Sequence, residues 1–284
     1  MVLVHAHPDD ESLMTGGTIA HYLARGVDVR VVTFTLGEEG EVIGERWAGL
    51  VADGGADQLG GFRIGELTAA LAALTPPGRE PLAPVFLGGA GRWRDSGMAG
   101  SAAAEHPRAL VRGSLDEEVA ALRAELTAAD PQVVVTYDAA GTYGHPDHRR
   151  VHEVCAAAVA AHVADTGRPV KLYESVSERS AVEQGLAAAD GRVPAGWRMP
   201  APGELPGYAD DEITAQVDVS AVFDRKVAAL AAHATQVTVA PSGTEYALSN
   251  NILQPIGAIE HFRRVDPGVD RRAPRETDLF GGVA

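Results

Sequence analysis

Residues 2–11 read VLVHAHPDDE, a short apolar run that gives way at once to a polar cluster. A strand half-exposed to water alternates polar and apolar residues, whereas one buried on both faces need not. The run therefore reads as a buried parallel strand whose C-terminal end carries HPDDE. A helix should follow from about Asp10 to Arg25, ended by Gly26. The same grammar recurs along the chain. VDVRVVTFTL (27–36) makes a second strand and ends in GEEGE (37–41), after which residues 41–60 look helical, with Gly49 and the pair Gly54-Gly55 weakening the middle. Beyond a connection holding Pro76, Pro77, Pro81 and Pro84, VFLGG (85–89) makes a third strand. It leads into the glycine-rich loop GGAGRWRDSGMAG (88–100), and a loop of that length inside a domain is usually functional. A helix over 115–129 precedes a fourth strand, QVVVTYD (132–138), which runs into AAGTYGHPDH (139–148), with a further helix over 149–164.

This alternation predicts an α/β fold: a mostly parallel, Rossmann-like sheet with helices on both faces. All four polar clusters follow a strand, and ligand sites in such sheets lie at the carboxyl ends of strands. The pattern loosens after about residue 170. There, a strand at PVKLYESV (169–176), a Pro/Gly-rich stretch at 193–207, ITAQVDVS (213–220) and a helix over 221–234 are the readable features. The expected division is a catalytic core over 1–170 and a C-terminal region over 171–284 that packs on it and covers the pocket, with Asn250 and Asn251 as contributors.

Composition narrows the function classes. The chain has 284 residues, 45% apolar and 22% charged, as in ordinary globular proteins. A net charge of −15 excludes the basic surface that a nucleic acid or an anionic lipid needs. No apolar run is long enough to span a membrane, and no signal peptide is expected. Cys155 is the only cysteine, which excludes an internal disulfide and any multi-cysteine zinc site. It lies in VHEVCAAAVAAHV (151–163) and reads as a buried structural thiol, and the expected location is the cytoplasm.

On its own HPDDE could be a capped turn, with Asp9 or Asp10 as N-cap. A second cluster, GHPDH at 144–148, repeats its His/Pro/Asp grammar after another strand and favours a metal site. His7 and Asp10 can converge while Asp9 points elsewhere. Two nitrogens and one oxygen leave an open position for water, as in catalytic zinc sites, and such a set also suits ferrous iron. Asp9 would then be free to act as general base. Other groups read more plainly. His5 could line the same side but reads first as structural, Glu11 supports the cluster or the helix start, and Glu38, Glu39 and Glu41 could form a solvated turn, though their place after the second strand favours the pocket. His21, His152 and His233 are structural or solvated. Arg92, Arg94 and Asp95 could bond a hydroxylated ligand. GGAGRW is neither GxGxxG nor a GK[ST] loop, so a nucleotide site is weakly supported.

HPDDE with a later GHPDH resembles the zinc-dependent deacetylases of the PIG-L/LmbE-like family, which remove acyl groups, mostly acetyl, from amino sugars. TLGEEGEVIGERW (35–47), ADQLGGFRIGEL (56–67), GGAGRWRDSGMAG, VVVTYD (133–138), AAHATQV (231–237) and ALSNN (247–251) extend the likeness to the branch acting on N-acetylglucosaminyl-inositol in the mycothiol pathway. The resemblance implies one zinc per subunit, or Fe2+, held by His7, Asp10 and His148, with Asp9 as general base. It further implies Tyr143 on the oxyanion, a cationic His145 held by Asp147, and Arg63 and Asp95 on sugar or inositol hydroxyls. The implied partner is a small amino-sugar inositol, and the oligomeric state stays open. The rival branch, an amidase of mycothiol S-conjugates, tends to carry a lysine shortly after HPDDES, where this chain has Met14. A non-catalytic sugar-binding or metal-storing protein would not need Asp9, Tyr143 and His145 beside three ligands.

Overall fold

Strand β1 (Val2–His5) is buried along its whole length, with Leu3 packed into one apolar layer and Val2 and Val4 into the other. That two-sided burial is why its sequence does not alternate. The computed structural model describes residues 1–52, 57–265, 269 and 273–283. After β1 the elements run α1 (Asp10–Ala24), β2 (Arg30–Thr33), α2 (Gln58–Leu74), β3 (Val85–Phe86), α3 (Leu115–Ala129), β4 (Val133–Thr136), α4 (Pro146–Thr166) and β5 (Lys171–Val176). They continue with α5 (Arg179–Ala189), β6 (Ala215–Asp218), α6 (Phe223–Ala232), β7 (Thr238–Val239), β8 (Glu245–Ala247), β9 (Gln254–Pro255) and β10 (Ile259–Arg264).

The main sheet has the order β3-β2-β1-β4-β5-β10-β6. Its first five strands are parallel, and β10 runs antiparallel to both β5 and β6. One face is covered by α1, α2 and α6 through residues such as Ile19, Leu23, Leu67, Leu71 and Ala229. The other is covered by α3 and α4 through Leu122, Leu126, Val151, Val154 and Cys155. This is the α/β architecture expected from the sequence. A small antiparallel sheet, β7-β8-β9, lies outside it. Among the described residues no helix is long and apolar enough to cross a membrane.

The chain leaves β1 toward β2 and β3 on one side and returns to β4 and β5 on the other. The order therefore reverses between β1 and β4, and a crevice opens beyond their carboxyl ends. HPDDE leaves β1 and AAGTYGHPDH follows β4, so both clusters meet in that crevice.

Among the described residues the expected helix over 41–60 is not there, apart from Gln58–Gly60 at the start of α2. Residues Glu45–Val51 form 3-10 turns with no fully buried side chain, held to α2 by the Trp47 ring 4.9 Å from that of Phe62, and this ring contact alone does not supply the apolar face that a longer helix needs. Gly54-Gly55 lie outside the described residues. The helix in this part of the chain is α2, whose Gly60, Gly61 and Gly65 hide it from a propensity reading. Gly60 is required by contact, since a Cβ there would lie 2.8 Å from Glu38 Cγ and 3.1 Å from Leu36 Cβ. Helix α5 and strands β7 to β10 also went unread in the sequence.

Candidate active site

Helix α1 starts abruptly. Asp9, its N-cap, has φ 105° and ψ −32°, a conformation that L-residues rarely adopt and that costs on the order of 1–3 kcal/mol unless its surroundings impose it. Its carbonyl accepts the first helical bonds, from Ser12 N at 3.0 Å and Leu13 N at 2.9 Å, and its own N–H donates to Glu11 Oε2 at 2.9 Å. Asp10 turns back to accept from His7 N at 3.0 Å. The adjacent aspartates thus part, with Asp10 facing His7 while Asp9 meets the Arg63 guanidinium at 3.0 Å.

The cluster centres on His7 and Asp10. Asp10 Oδ2 lies 3.2 Å from His7 Nδ1, and Oδ1 lies 3.5 Å from His148 Nε2. Ligands held about 2.0–2.1 Å from a tetrahedral zinc stand about 3.4 Å apart, and each spacing, made to a different oxygen of Asp10, is of that order. His148 is buried, and neither ring nitrogen has a hydrogen-bond partner. Leaving such groups unmet is unfavourable, and a bound cation would satisfy one of them. Among the described residues, the ligand atoms of His7, His145 and His148 lie within 4.8 Å of one another, as do those of His7, Asp95 and Asp147. The donor set fits a divalent metal.

The far side of His7 is also acidic. Its Nε2 lies 3.2 Å from Asp147 Oδ2 and 3.4 Å from Asp95 Oδ1. A ligating histidine commonly has its second nitrogen held by a carboxylate, and Asp147 has that position. Asp147 Oδ2 accepts from Ser96 N at 2.9 Å, which ties the glycine-rich loop to the cluster. Burial opposes charge on His7, but Asp95 and the bonds to Asp10 and Asp147 hold it well above its usual range. Asp10, although buried, is held well below the usual carboxylate range by His148 and His7.

Asp9 differs from Asp10. Burial pushes its carboxyl up to about 6, against the pull of Arg63. His145 moves the other way, down to about 4, through burial and the nearby His7 and His148. Here the geometry corrects the sequence reading, which had Asp147 hold a cationic His145. The Asp147 carboxylate sits on His7, and only the Asp147 backbone N–H reaches His145, donating to Nδ1 at 3.2 Å. Tyr143 lies at the rim, 57% exposed, its ring 5.9 Å from that of His145 and 5.3 Å from that of His148.

Arg63 is buried, with Nη1 donating to Gly37 O at 2.6 Å and Nη2 donating to Pro8 O. Both terminal nitrogens are thus engaged by protein, where the resemblance had them on substrate hydroxyls. Gly37 makes room for this arrangement. Its φ is 65°, and a Cβ there would sit 2.1 Å from Arg63 Nη1. Asp95 Oδ1 accepts from Gly97 N at 2.8 Å. Arg94 pairs with Glu39 and Asp57, each at 2.6 Å, and Arg92 pairs with Glu117 on the surface. His5 bonds Thr15 at 3.1 Å.

A cavity of about 1080 Å³ opens over the cluster. His7, Asp9, Asp10, Arg63, Asp95, Tyr143, His145 and His148 all line it, and Glu39, Glu41 and Asn250 do too, whereas Glu38, Asn251, Arg92 and Arg94 do not. Two contributors were missed. Tyr137, at the end of β4, donates to Asp10 Oδ2 at 2.6 Å, accepts from Ala6 N at 2.6 Å and stacks on His148 at 4.1 Å. His233 meets Glu11 at 2.7 Å across most of the chain. Both stand in stretches that carry the resemblance, VVVTYD (133–138) and AAHATQV (231–237), but nothing in the sequence gave either a partner in the site.

Histidines and carboxylates gathered at the switch point of a parallel sheet fit an α/β enzyme with a metal-assisted hydrolytic site, and the family likeness supplies the class. The chain belongs to the PIG-L family, described as GlcNAc-PI de-N-acetylase, whose family model matches residues 2–159. It is 71% identical over 283 residues to a 1D-myo-inositol 2-acetamido-2-deoxy-alpha-D-glucopyranoside deacetylase of Gordonia bronchialis, covering 100% of both chains. It is 59% identical to a protein of the same name from Rhodococcus jostii, covering 100% of this chain and 98% of that one. Among solved structures it resembles a 4-carboxy-2-hydroxymuconate hydratase from Pseudomonas putida KT2440, with a TM-score of 0.56, 18% identity and coverage of 96% and 98%. That last likeness is one of fold alone.

Proposed function

We propose that the protein hydrolyses the N-acetyl group of 1D-myo-inositol 2-acetamido-2-deoxy-α-D-glucopyranoside, releasing acetate and the free amine, as the deacetylation step of mycothiol biosynthesis. One observation carries the chemistry: in the lining of one cavity Asp10 stands between His7, 3.2 Å from one of its oxygens, and His148, 3.5 Å from the other, and the neighbouring Asp9 carboxyl has its pKa pushed up to about 6. The substrate follows the full-length likeness to the deacetylases named above.

His7, Asp10 and His148 would hold one divalent ion, zinc by donor set, with ferrous iron as alternative. When bound, such an ion polarises the amide carbonyl and brings the pKa of a water into the neutral range. Asp9 takes the proton from the attacking water, a role suited by a carboxyl raised toward neutrality. Arg63 keeps that carboxylate in place. The Tyr143 hydroxyl donates to the oxygen that gains charge as the carbonyl carbon becomes tetrahedral. His145 rests neutral with Nδ1 accepting from Asp147, so it presents Nε2–H to the same charge. The leaving nitrogen takes the proton that Asp9 removed. The charge developing on the intermediate also favours the cationic form of His145, which then shares in that transfer. Asp147 holds His7. Asp95 stands at the cavity wall where a hydroxyl of the sugar or inositol can reach it. The C-terminal region closes the far wall, and the lone buried thiol of Cys155 accords with a cytoplasmic address.

The test is acetate release from that substrate by protein stripped of metal or loaded with zinc, with Asp9→Ala beside it. Release that needs metal and collapses in the variant is expected. Metal-dependent release that favours a mycothiol S-conjugate instead would place the chain in the amidase branch.

A further inference from the structure

The sequence reading left His233 as structural or solvated, yet it is wholly buried and placed close behind the proposed general base. Its Nε2 lies 2.7 Å from Glu11 Oε1, which also accepts from Ser12 Oγ at 2.5 Å. The other oxygen of the same carboxylate, Oε2, accepts the Asp9 N–H at 2.9 Å. Glu11 is wholly buried as well, so both of its oxygens are committed. The partner of this carboxylate arrives from the far end of the chain, on the turn that ends α6.

That turn is itself held firmly. Gln236 N and Val237 N both donate to His233 O, at 2.9 Å and 2.8 Å. Thr235 donates from its backbone N and from its hydroxyl to Glu66 of α2, at 2.8 Å and 2.7 Å. The same helix carries Arg63, which meets the Asp9 carboxylate from the other side. Asp9 is therefore gripped at its backbone by Glu11 and at its side chain by Arg63. Its φ of 105° is the conformation such a grip must impose, because the residue would not choose it unaided.

We infer that Glu11 and His233 are positioning residues for catalysis: His233 pins the Glu11 carboxylate, which in turn holds the Asp9 backbone so that its carboxylate faces the reacting water. The inference rests on the reading of Asp9 as general base. Neither residue touches the cavity contents, so both act through Asp9. A base displaced by about 1 Å loses on the order of 100-fold in rate without any change in how substrate binds.

The experiment is a thermodynamic cycle on the zinc-loaded protein with the inositol-linked N-acetyl amino sugar as substrate. The variants are His233→Ala, His233→Gln, Glu11→Gln, Asp9→Ala and the Asp9→Ala/His233→Ala double variant. His233→Ala should lower kcat by about 10- to 100-fold with KM and bound zinc unchanged. His233→Gln still offers Glu11 a donor and should recover part of that loss, and it serves the same cycle where the alanine variant does not fold. In the Asp9→Ala background the second substitution should change the residual rate by less than about twofold, since it acts only through the missing group. The inference is overturned if the two losses multiply in full, if kcat falls only in step with lost zinc, or if the His233 and Glu11 variants keep kcat while Asp9→Ala collapses. Retention of activity in Asp9→Ala would instead overturn the general-base reading, and this inference with it.

Discussion

Removing the Tyr137 hydroxyl tests whether the metal cluster is braced from beneath. Tyr137→Phe keeps the fully buried ring and its stack on His148 at 4.1 Å, so packing is preserved and only the oxygen goes. Two contacts go with it, the donation to Asp10 Oδ2 at 2.6 Å and the acceptance from Ala6 N at 2.6 Å. Losing a bond to a charged acceptor and stranding a buried N–H together should destabilise the metal-free protein by about 2–4 kcal/mol. For a domain of this size that corresponds to a fall in Tm of at least about 4 °C. Metal affinity should weaken by about 10- to 100-fold, because a carboxylate ligand loses the partner that orients it. Thermal unfolding of the chelated protein measures the first effect and a competitive zinc titration measures the second. At saturating zinc kcat should stay near the wild-type value, since Tyr137 does not reach the cavity. A Tm within about 2 °C of wild type together with an unchanged zinc affinity would refute the reasoning.

Three further outcomes are expected. Zinc at 100 times its Kd should stabilise the chelated protein by about 2.7 kcal/mol, seen as a raised Tm, and His148→Ala should abolish the rise. Glu118, packed between α3 and α4, is raised by burial to about 7 despite the Arg150 Nε–H at 2.7 Å, so the folded state favours its protonated form. Its contribution is therefore fullest below the ordinary carboxylate value and is lost as pH rises toward about 7. Tm of Glu118→Gln should fall less than that of wild type between pH 5 and 8, and parallel Tm profiles would count against the assignment. A Cβ on Gly17 in α1 would lie 2.5 Å from Val219 Cγ2. Overpacking of about 1–3 kcal/mol outweighs the gain of about 1 kcal/mol in helix propensity, so Gly17→Ala should lower the urea midpoint, and an equal or higher midpoint would contradict the packing argument.

The elements legible in the sequence were those whose own residues carry a strong local signal. β1 and β4 are apolar runs ended by charged clusters, and α3 is a capped amphipathic segment whose expected span of 115–129 matches Leu115–Ala129. α2 was missed because its glycines answer to neighbours far away in sequence, Gly60 to Leu36 and Glu38 of the loop after β2. β10 was missed because it is an edge-to-centre insertion. It joins β5 to β6 only after a long excursion through α5, α6 and the small sheet, and its sequence IEHFRR gives no run of apolar residues.

The candidate site divides in the same way. His7, Asp9, Asp10, His145, Asp147 and His148 stand in two short motifs, and their convergence follows once β1 and β4 are adjacent, as the parallel pairing of Val2 with Val134 makes them. The residues that aim those groups are not in the motifs. Tyr137 lies just past the end of β4, Arg63 in a helix, the Ser96 N–H in a loop and His233 beyond the end of α6. Motif spacing can tell which atoms meet a ligand, because those atoms share a loop. It cannot tell which carboxylate holds which histidine. Asp147 stands two residues from His145 yet spends its carboxylate on His7, 140 positions away, because the start of α4 turns that side chain inward toward β1 rather than along its own loop. Assigning such partners takes the order of the strands, and that order follows from pairings that no local stretch of sequence contains.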